Sequence, residues 1–257
     1  MLSLDHVTMS FGGLIAVDDV SFTIEKGRIT GLIGPNGAGK TTAFNVLAGH
    51  FRPTSGRIFL AGEDVTALAA HERSRKGLAR TFQLPHEFAR LTAIENLMVA
   101  GSSRQGEGVL TAILNPGRFR AEEREVWRRA LDLLDFLELS KACDERAGNL
   151  SGGQKKLLEL GRALMANPRI VLLDEIGAGI NRTLLGKIAE KIRRLNAELG
   201  LAFCVIEHDL DYVARICEDV IVMAEGSVLM RGSVEDVRAD ERVIEVYFGG
   251  GRHERRA

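Results

Sequence analysis

The residues Gly34, Pro35, Asn36, Gly37, Ala38, Gly39, Lys40, Thr41 and Thr42 run in an order suited to holding phosphate. They fit the pattern G-x-x-x-x-G-K-[ST], with a strand-like ITGLI before them and a helix-like KTTAFNVLAGH after them. Glycines let successive backbone N–H groups turn inward around phosphate oxygens, and the helix N-terminus adds partial positive charge. In that setting Lys40 reaches the β- and γ-phosphates of a nucleoside triphosphate, and the Thr41 hydroxyl ligates Mg2+. A second chemical element is IVLLDE, where Asp174 ends an apolar strand. A carboxylate at the carboxyl end of a strand can hold Mg2+ through water, and Glu175 can polarise an attacking water. A third stretch, NLSGGQKKLLEL (149–160), opens a helix on a serine-glycine-glycine turn. It is another helix N-terminus able to receive an anion, which raises the question of what one chain does with two such sites.

These side chains need a scaffold that brings distant segments together. The runs at 28–33 (RITGLI), 169–173 (RIVLL), 201–206 (LAFCVI) and 219–223 (DVIVM) read as buried strands. Helical patterns separate them. In 183–199, Leu184, Leu185, Ile188, Ile192, Leu195 and Leu199 form one stripe at period 3.6, with Asn181 or Thr183 as N-cap. Strands alternating with helices predict a parallel α/β sheet. The first 30 residues and 56–61 (GRIFLA) alternate more, with turns at Gly12-Gly13 and Gly27, and predict an antiparallel β element beside it. Between residues 83 and 150 no strand is expected. Helices are expected at 92–100 and 121–139, the latter with an apolar face of Trp127, Ala130, Leu131, Leu134 and Leu137, and with loops at 101–108 and 115–117.

Composition sets the outer bounds. At 257 residues, 45% hydrophobic and 27% charged, the chain is that of an ordinary globular protein of one or two domains. Thirty-four basic residues against 35 acidic ones give a formal charge of -1, so no electrostatic case exists for nucleic acid as a partner. No apolar run approaches the ~20 residues needed to span a bilayer, and the N-terminus lacks the pattern of a secretory signal. Cys143, Cys204 and Cys217 have no metal-like spacing; Cys204, inside LAFCVI, is expected to be buried and inert, as suits a reducing compartment.

Taken together these motifs resemble the ATP-binding cassette (ABC) ATPases over nearly the whole chain. Leu150, Ser151, Gly152, Gly153 and Gln154 look like that family's signature motif. Gln83 in ARTFQ looks like its Q-loop, His208 in IEHDL like its switch histidine, and 178–181 like its D-loop. Phe11 stands where the family places an aromatic ring under adenine. The resemblance implies a single ABC ATPase domain over 1–257. Its fold is a P-loop NTPase parallel-sheet core with an antiparallel β subdomain (1–85 and 151–257) and an inserted helical signature subdomain (86–150). It also implies ATP and Mg2+ as ligands, with Thr41, Gln83 and Asp174 around the metal. Glu175, His208, Gln83 and Lys40 carry the hydrolysis. In this family two cassettes face head to tail, so each ATP is held by one cradle and capped by the partner's signature turn. The two anion sites of one chain then serve two different nucleotides.

A finer resemblance, through 10–22 (SFGGLIAVDDVSF), 80–101 and 242–250, points to uptake ATPases for branched-chain and other hydrophobic amino acids. Urea, other polar solutes or a lipid-type cargo are alternatives, as is a soluble ABC ATPase outside transport. The implied partners are a second ABC ATPase, more in keeping with a heterodimer, transmembrane permease subunits and, indirectly, an extracytoplasmic solute-binding protein. The implied location is peripheral, on the cytoplasmic face of the membrane. The basic tail 251–257 reads as a frayed terminus. One departure stands out: the family usually has proline after the catalytic glutamate, where this chain has Ile176, read here as tuning of the turn.

Overall fold

The computed structural model describes residues 1–81, 87–101, 116–177 and 179–248. Expectations for Gln83, for the loop at 102–108, for Asn115, for Ala178 and for the tail 251–257 fall outside these residues.

Two sheets organise the chain. The first is antiparallel, in the order β2-β1-β4-β5, from β1 (Leu2–Phe11), β2 (Leu14–Ile24), β4 (Ser55–Leu60) and β5 (Glu63–Asp64). The second has the order β10-β9-β3-β8-β7-β6. It comprises β3 (Ile29–Ile33), β6 (Leu78–Arg80), β7 (Ile170–Asp174), β8 (Ala202–Ile206), β9 (Asp219–Ala224) and β10 (Ser227–Gly232). Its neighbours pair in parallel, except that β10 runs antiparallel along β9. The expected main strands are present to within a residue or two.

All five residues of β3, β7 and β8 are buried, because both faces of this sheet are covered. Period-2 alternation divides them. Ile170, Leu172, Ala202, Cys204 and Ile206 face a cluster shared with α1 (Lys40–Ala48) and the antiparallel sheet. Val171, Leu173, Phe203 and Val205 face the opposite cluster. That second cluster is closed by α5 (Gly152–Met165) and α6 (Arg182–Leu199), and continues into α3 (Ala93–Gly101) and α4 (Pro116–Phe136). Cys204 is buried as expected. Beyond α6 the described residues form three short helices: α7 (Leu210–Ile216), α8 (Val234–Ala239) and α9 (Glu241–Phe248). A further short helix, α2 (Ala70–Arg75), precedes β6.

Three expectations need correction. Trp127 is 49% exposed rather than part of the apolar face of α4, whose buried side is Ala130 and Leu134, with Leu137 just beyond it. Leu199 is exposed, because α6 ends there on a left-handed Gly200 and its last turn leaves the core. Pro116 and Gly117 do not form a loop but open α4, where proline's missing N–H costs nothing. Of the two N-cap candidates for α6, Asn181 fills the role: its side chain accepts from Leu184 N at 2.9 Å.

Candidate nucleotide site

The carboxyl ends of β3, β8, β7 and β6 lie side by side along one edge of the sheet. Each is followed at once by a segment singled out in the sequence. Strand β3 leads into Gly34, β8 into Glu207 and His208, β7 ends on Asp174 and precedes Glu175, and β6 leads toward Gln83. Crevices beyond the carboxyl ends of parallel strands are where α/β sheets hold ligands.

At β3 the chain turns through a loop that only glycine can make. Gly34 has φ 151°, and a Cβ there would lie 2.1 Å from Met223 O; Gly39 has φ 93°, and a Cβ there would lie 2.4 Å from Ala16 O. Gly39 is also the N-cap of α1 and offers no side-chain cap. The first amides of α1 therefore have no acceptor from the helix or its cap, and they point, with the helix dipole, into the loop. Asn36 and Gly37 form its exposed tip, while Ala38 is buried. The Lys40 ammonium folds back over the loop and donates to Gly34 O at 2.7 Å and Pro35 O at 2.8 Å. Burial lowers its pKa, and the nearby Glu175 and Asp174 carboxylates oppose that shift. Lysine and both carboxylates thus occupy one electrostatic neighbourhood. Thr41 is exposed on the first turn of α1, with Thr42 half-buried beside it.

The far end of α1 is fixed by a residue that the sequence did not signal. Arg73 is fully buried, and its guanidinium donates to Val46 O, Leu47 O, Thr66 O and Leu68 O. A cation at a helix C-terminus complements the helix dipole, and burial lowers the Arg73 pKa to about 10.

Asp174 is held by a buried pair. Arg80 Nη2 donates to Asp174 Oδ2 at 2.8 Å, and its Nη1 donates to Asn45 Oδ1 on α1 at 2.6 Å. The carboxylate is anchored through Oδ2, and its other oxygen would be available to a cation's bound water. Among the described residues no group of three or more His, Cys, Asp or Glu could cage a metal. Mg2+ is ordinarily bound by one or two protein oxygens together with substrate phosphates and water. The residues present, Thr41 and Asp174 beside an uncapped helix N-terminus, fit such an ion. Arg80 lies within the quoted ARTFQ, but nothing in its spacing marks it as the partner of Asp174.

Glu175 has φ 45°, a left-handed conformation uncommon outside glycine. His208 is exposed just beyond β8. Phe11 is 44% exposed at the end of β1 and meets the Phe51 ring edge-on at 5.3 Å. Ala16, close behind it on β2, abuts Gly39, so the hairpin tip carrying Phe11 stands beside the loop.

The turn at Leu150–Gln154 is built differently. Ser151 caps α5: its Oγ accepts from Gln154 N at 3.3 Å, and its N–H donates to Gln154 Oε1 at 2.9 Å. This is a capping box, and the S-x-x-Q spacing signals it. Gly152 and Gly153 supply the first two helical amides, which the helix leaves without acceptors. A Cβ on Gly152 would meet nothing within 4 Å, whereas one on Gly153 would lie 1.9 Å from Leu184 Cδ2. Leu150 is buried and anchors the turn. Among the described residues, no hydrogen bond or ion pair joins this turn to the loop at 34–42.

A family profile described as ABC transporter matches residues 17–178, well over half of the chain. The chain belongs to the ABC transporter family. Members of this family bind and hydrolyse ATP. The chain is 40% identical to a probable branched-chain amino acid transport ATP-binding protein, LivG, of Archaeoglobus fulgidus, covering 97% of this chain and 95% of that protein. It is 38% identical to BraF, a high-affinity branched-chain amino acid transport ATP-binding protein of Pseudomonas aeruginosa, covering 97% and 98%. The fold is that of the ABC cassette. A nucleotide-free ATP-binding cassette from an ABC transporter superposes with TM-score 0.84 at 36% identity, over 97% of this chain and 99% of that one. A dimeric cassette in a post-hydrolysis state bound to ADP and Pi superposes at 0.77 with 26% identity, over 91% and 99%.

Proposed function

We propose that this ABC protein is the ATP-binding and ATP-hydrolysing subunit of an importer for branched-chain amino acids. The observation that carries the reading is the meeting of Lys40, Asp174 and Glu175 at one sheet edge, beside a helix whose N-terminus is left uncapped. The full-length likeness to proteins named for branched-chain amino acid transport supports the cargo.

In this reading the backbone from 34 to 42 cradles the phosphates, and Lys40 exchanges its two loop carbonyls for β- and γ-phosphate oxygens. Phe11 stacks on adenine. Thr41 and Asp174, with Gln83, would hold Mg2+, which would neutralise charge on the β- and γ-phosphates. Glu175 accepts a proton from the attacking water, and His208 stands at the γ-phosphate side. The exposed Ser151–Gly153 turn serves a nucleotide bound by a facing cassette. Its two free amides and its lack of bonds to the chain's own loop support a role in trans. ATP then acts as the adhesive of a dimer, and hydrolysis removes the group both sides grip, shifting the population from closed to open.

The same proposal divides the chain into a core (1–85 and 151–257) and a helical unit (86–150) that docks on permease subunits. It places the protein peripherally on the cytoplasmic face of a membrane. No helix among the described residues is long and apolar enough to cross one. The test is ATP-driven uptake of labelled leucine or valine, against urea and a polar amino acid, by vesicles containing this chain with its membrane partners. ATP hydrolysis is measured in parallel with and without those partners. Uptake of leucine or valine that follows hydrolysis supports the reading; hydrolysis driving only another solute removes the cargo, and no hydrolysis removes the activity.

A further inference from the structure

Glu207 precedes His208 and has no assigned part in the site, yet it is 2% exposed and packed against its centre. The parallel ladder between β7 and β8 closes at Asp174 and Ile206. Beyond it two rungs continue. Glu175 N donates to Ile206 O at 3.0 Å. Gly177 N then donates to Glu207 Oε1 at 2.8 Å, so a side chain stands where the next backbone carbonyl would be. Between the two rungs Ile176 is buried in the core. The three-residue turn 175–177 is thereby stapled at both ends to β8. The turn contains the left-handed Glu175, a conformation that persists only where the surroundings over-determine it.

We propose that Glu207 is a positioning residue. Its carboxylate splints the 175–177 turn to the end of β8, holds Glu175 in its left-handed conformation, and ties that turn to the segment carrying His208. The proposal rests on the reading of Glu175 as the base. Gly177 suits the contact, since a Cβ there would lie only 3.3 Å from Glu207 Oε1. Other charged or titratable groups around Glu207 are Glu175, His208 and the buried Tyr212 and Cys217. Burial is the main influence and raises the Glu207 pKa. The contact itself is one oxygen accepting from the Gly177 N–H, so the splint needs an acceptor at this reach, and the amide oxygen of a glutamine stands at the same length.

Two substitutions separate reach from charge. Glu207→Gln keeps the length and the acceptor but loses the charge. Glu207→Asp keeps the charge but falls one methylene short. In the assembled transporter, Glu207→Gln is expected to hydrolyse ATP within about twofold of wild type. Glu207→Asp should lose about tenfold in kcat, the equivalent of one lost hydrogen bond, with KM changed by less than about twofold. In the full-length chain alone, exchange of the Gly177 amide should speed up at least about tenfold in Glu207→Asp and stay slow in Glu207→Gln. Melting temperature is recorded for both, so that global unfolding is recognised. The reverse order, with Asp active and Gln impaired, overturns the proposal, as does unchanged Gly177 exchange in Glu207→Asp. Glu175→Gln is run beside them: if it hydrolyses ATP at the wild-type rate the base is elsewhere, while the exchange of Gly177 still reports the splint.

Discussion

Replacing Gly152 by aspartate moves stability and activity in opposite directions. A Cβ at Gly152 meets nothing within 4 Å, so the substitution costs no packing. Aspartate in the first turn of α5 interacts favourably with the helix dipole by ~0.3–1 kcal/mol, and exchanging glycine for aspartate, which stands just above it in helix propensity, adds only about 0.3 kcal/mol. The melting temperature should stay level or rise, by about 2–4 °C per kcal/mol gained in a domain of this size. On the proposed role in trans, the same carboxylate would face the γ-phosphate bound by a facing cassette. Two unit charges about 4 Å apart at an effective dielectric of about 20 repel by about 4 kcal/mol, close to a thousandfold weakening of closure. The intrinsic gain is smaller than the repulsion, so hydrolysis by the assembled transporter should fall by two orders of magnitude or more. Nucleotide affinity of the isolated chain should stay within about twofold. Gly153→Asp is the less clean probe, because its Cβ displaces Leu184 Cδ2; it should melt below Gly152→Asp while losing the same activity. The assays are thermal melting, fluorescent-nucleotide titration and phosphate release. Wild-type turnover in Gly152→Asp refutes the reasoning. Collapse of the chain's own nucleotide affinity with normal melting refutes it differently, by placing the turn on the same ATP as Lys40.

On the proposed role, Lys40→Ala removes the ammonium from the phosphates; a hydrogen bond to a charged group is worth ~1.5–3 kcal/mol, so the loss of one should lower ATP affinity by about ten- to a hundredfold, together with turnover. Equilibrium titration checks it, and an unchanged Kd would take Lys40 out of the cradle. Phe11→Ala should weaken ATP binding by the ~1–3 kcal/mol typical of base stacking and Phe11→Trp should restore it. Equal affinity in all three proteins would leave Phe11 as a partner of Phe51 only.

The elements most legible in the sequence were those whose pattern comes from burial on both faces or along one stripe. RITGLI, RIVLL, LAFCVI and DVIVM became β3, β7, β8 and β9, and the stripe from Leu184 to Leu195 became the inward face of α6. The loop at 34–42 was legible because the strand and helix flanking it leave few ways to arrange its glycines. Less legible were features set by tertiary neighbours. Trp127 lies at a helical spacing that suits the buried face, yet α4 presents it to solvent. Strand β10, half-buried along its length, carries no clean alternation. Arg80 meets Asp174 across 94 positions of sequence, and Glu207 meets Gly177 across 30; neither pairing leaves a local spacing to read. Arg73 reads as one more charge in AHERSR, yet it is buried among four carbonyls. The strain at Glu175 is likewise invisible in DEIGAG, since it follows from how β7 leaves the sheet.

The most direct test of two cassettes sharing each ATP is nucleotide retention by a transporter carrying Glu175→Gln. The substitution keeps shape and hydrogen bonding but removes the proton acceptor. The complex is purified with its membrane partners, incubated with ATP, passed through gel filtration and analysed for bound nucleotide. Glu175→Gln should retain unhydrolysed ATP, and adding Gly152→Asp should abolish that retention while leaving the isolated chain's ATP affinity unchanged. Retention undiminished in the double variant, or ADP in place of ATP in the single one, would contradict the account.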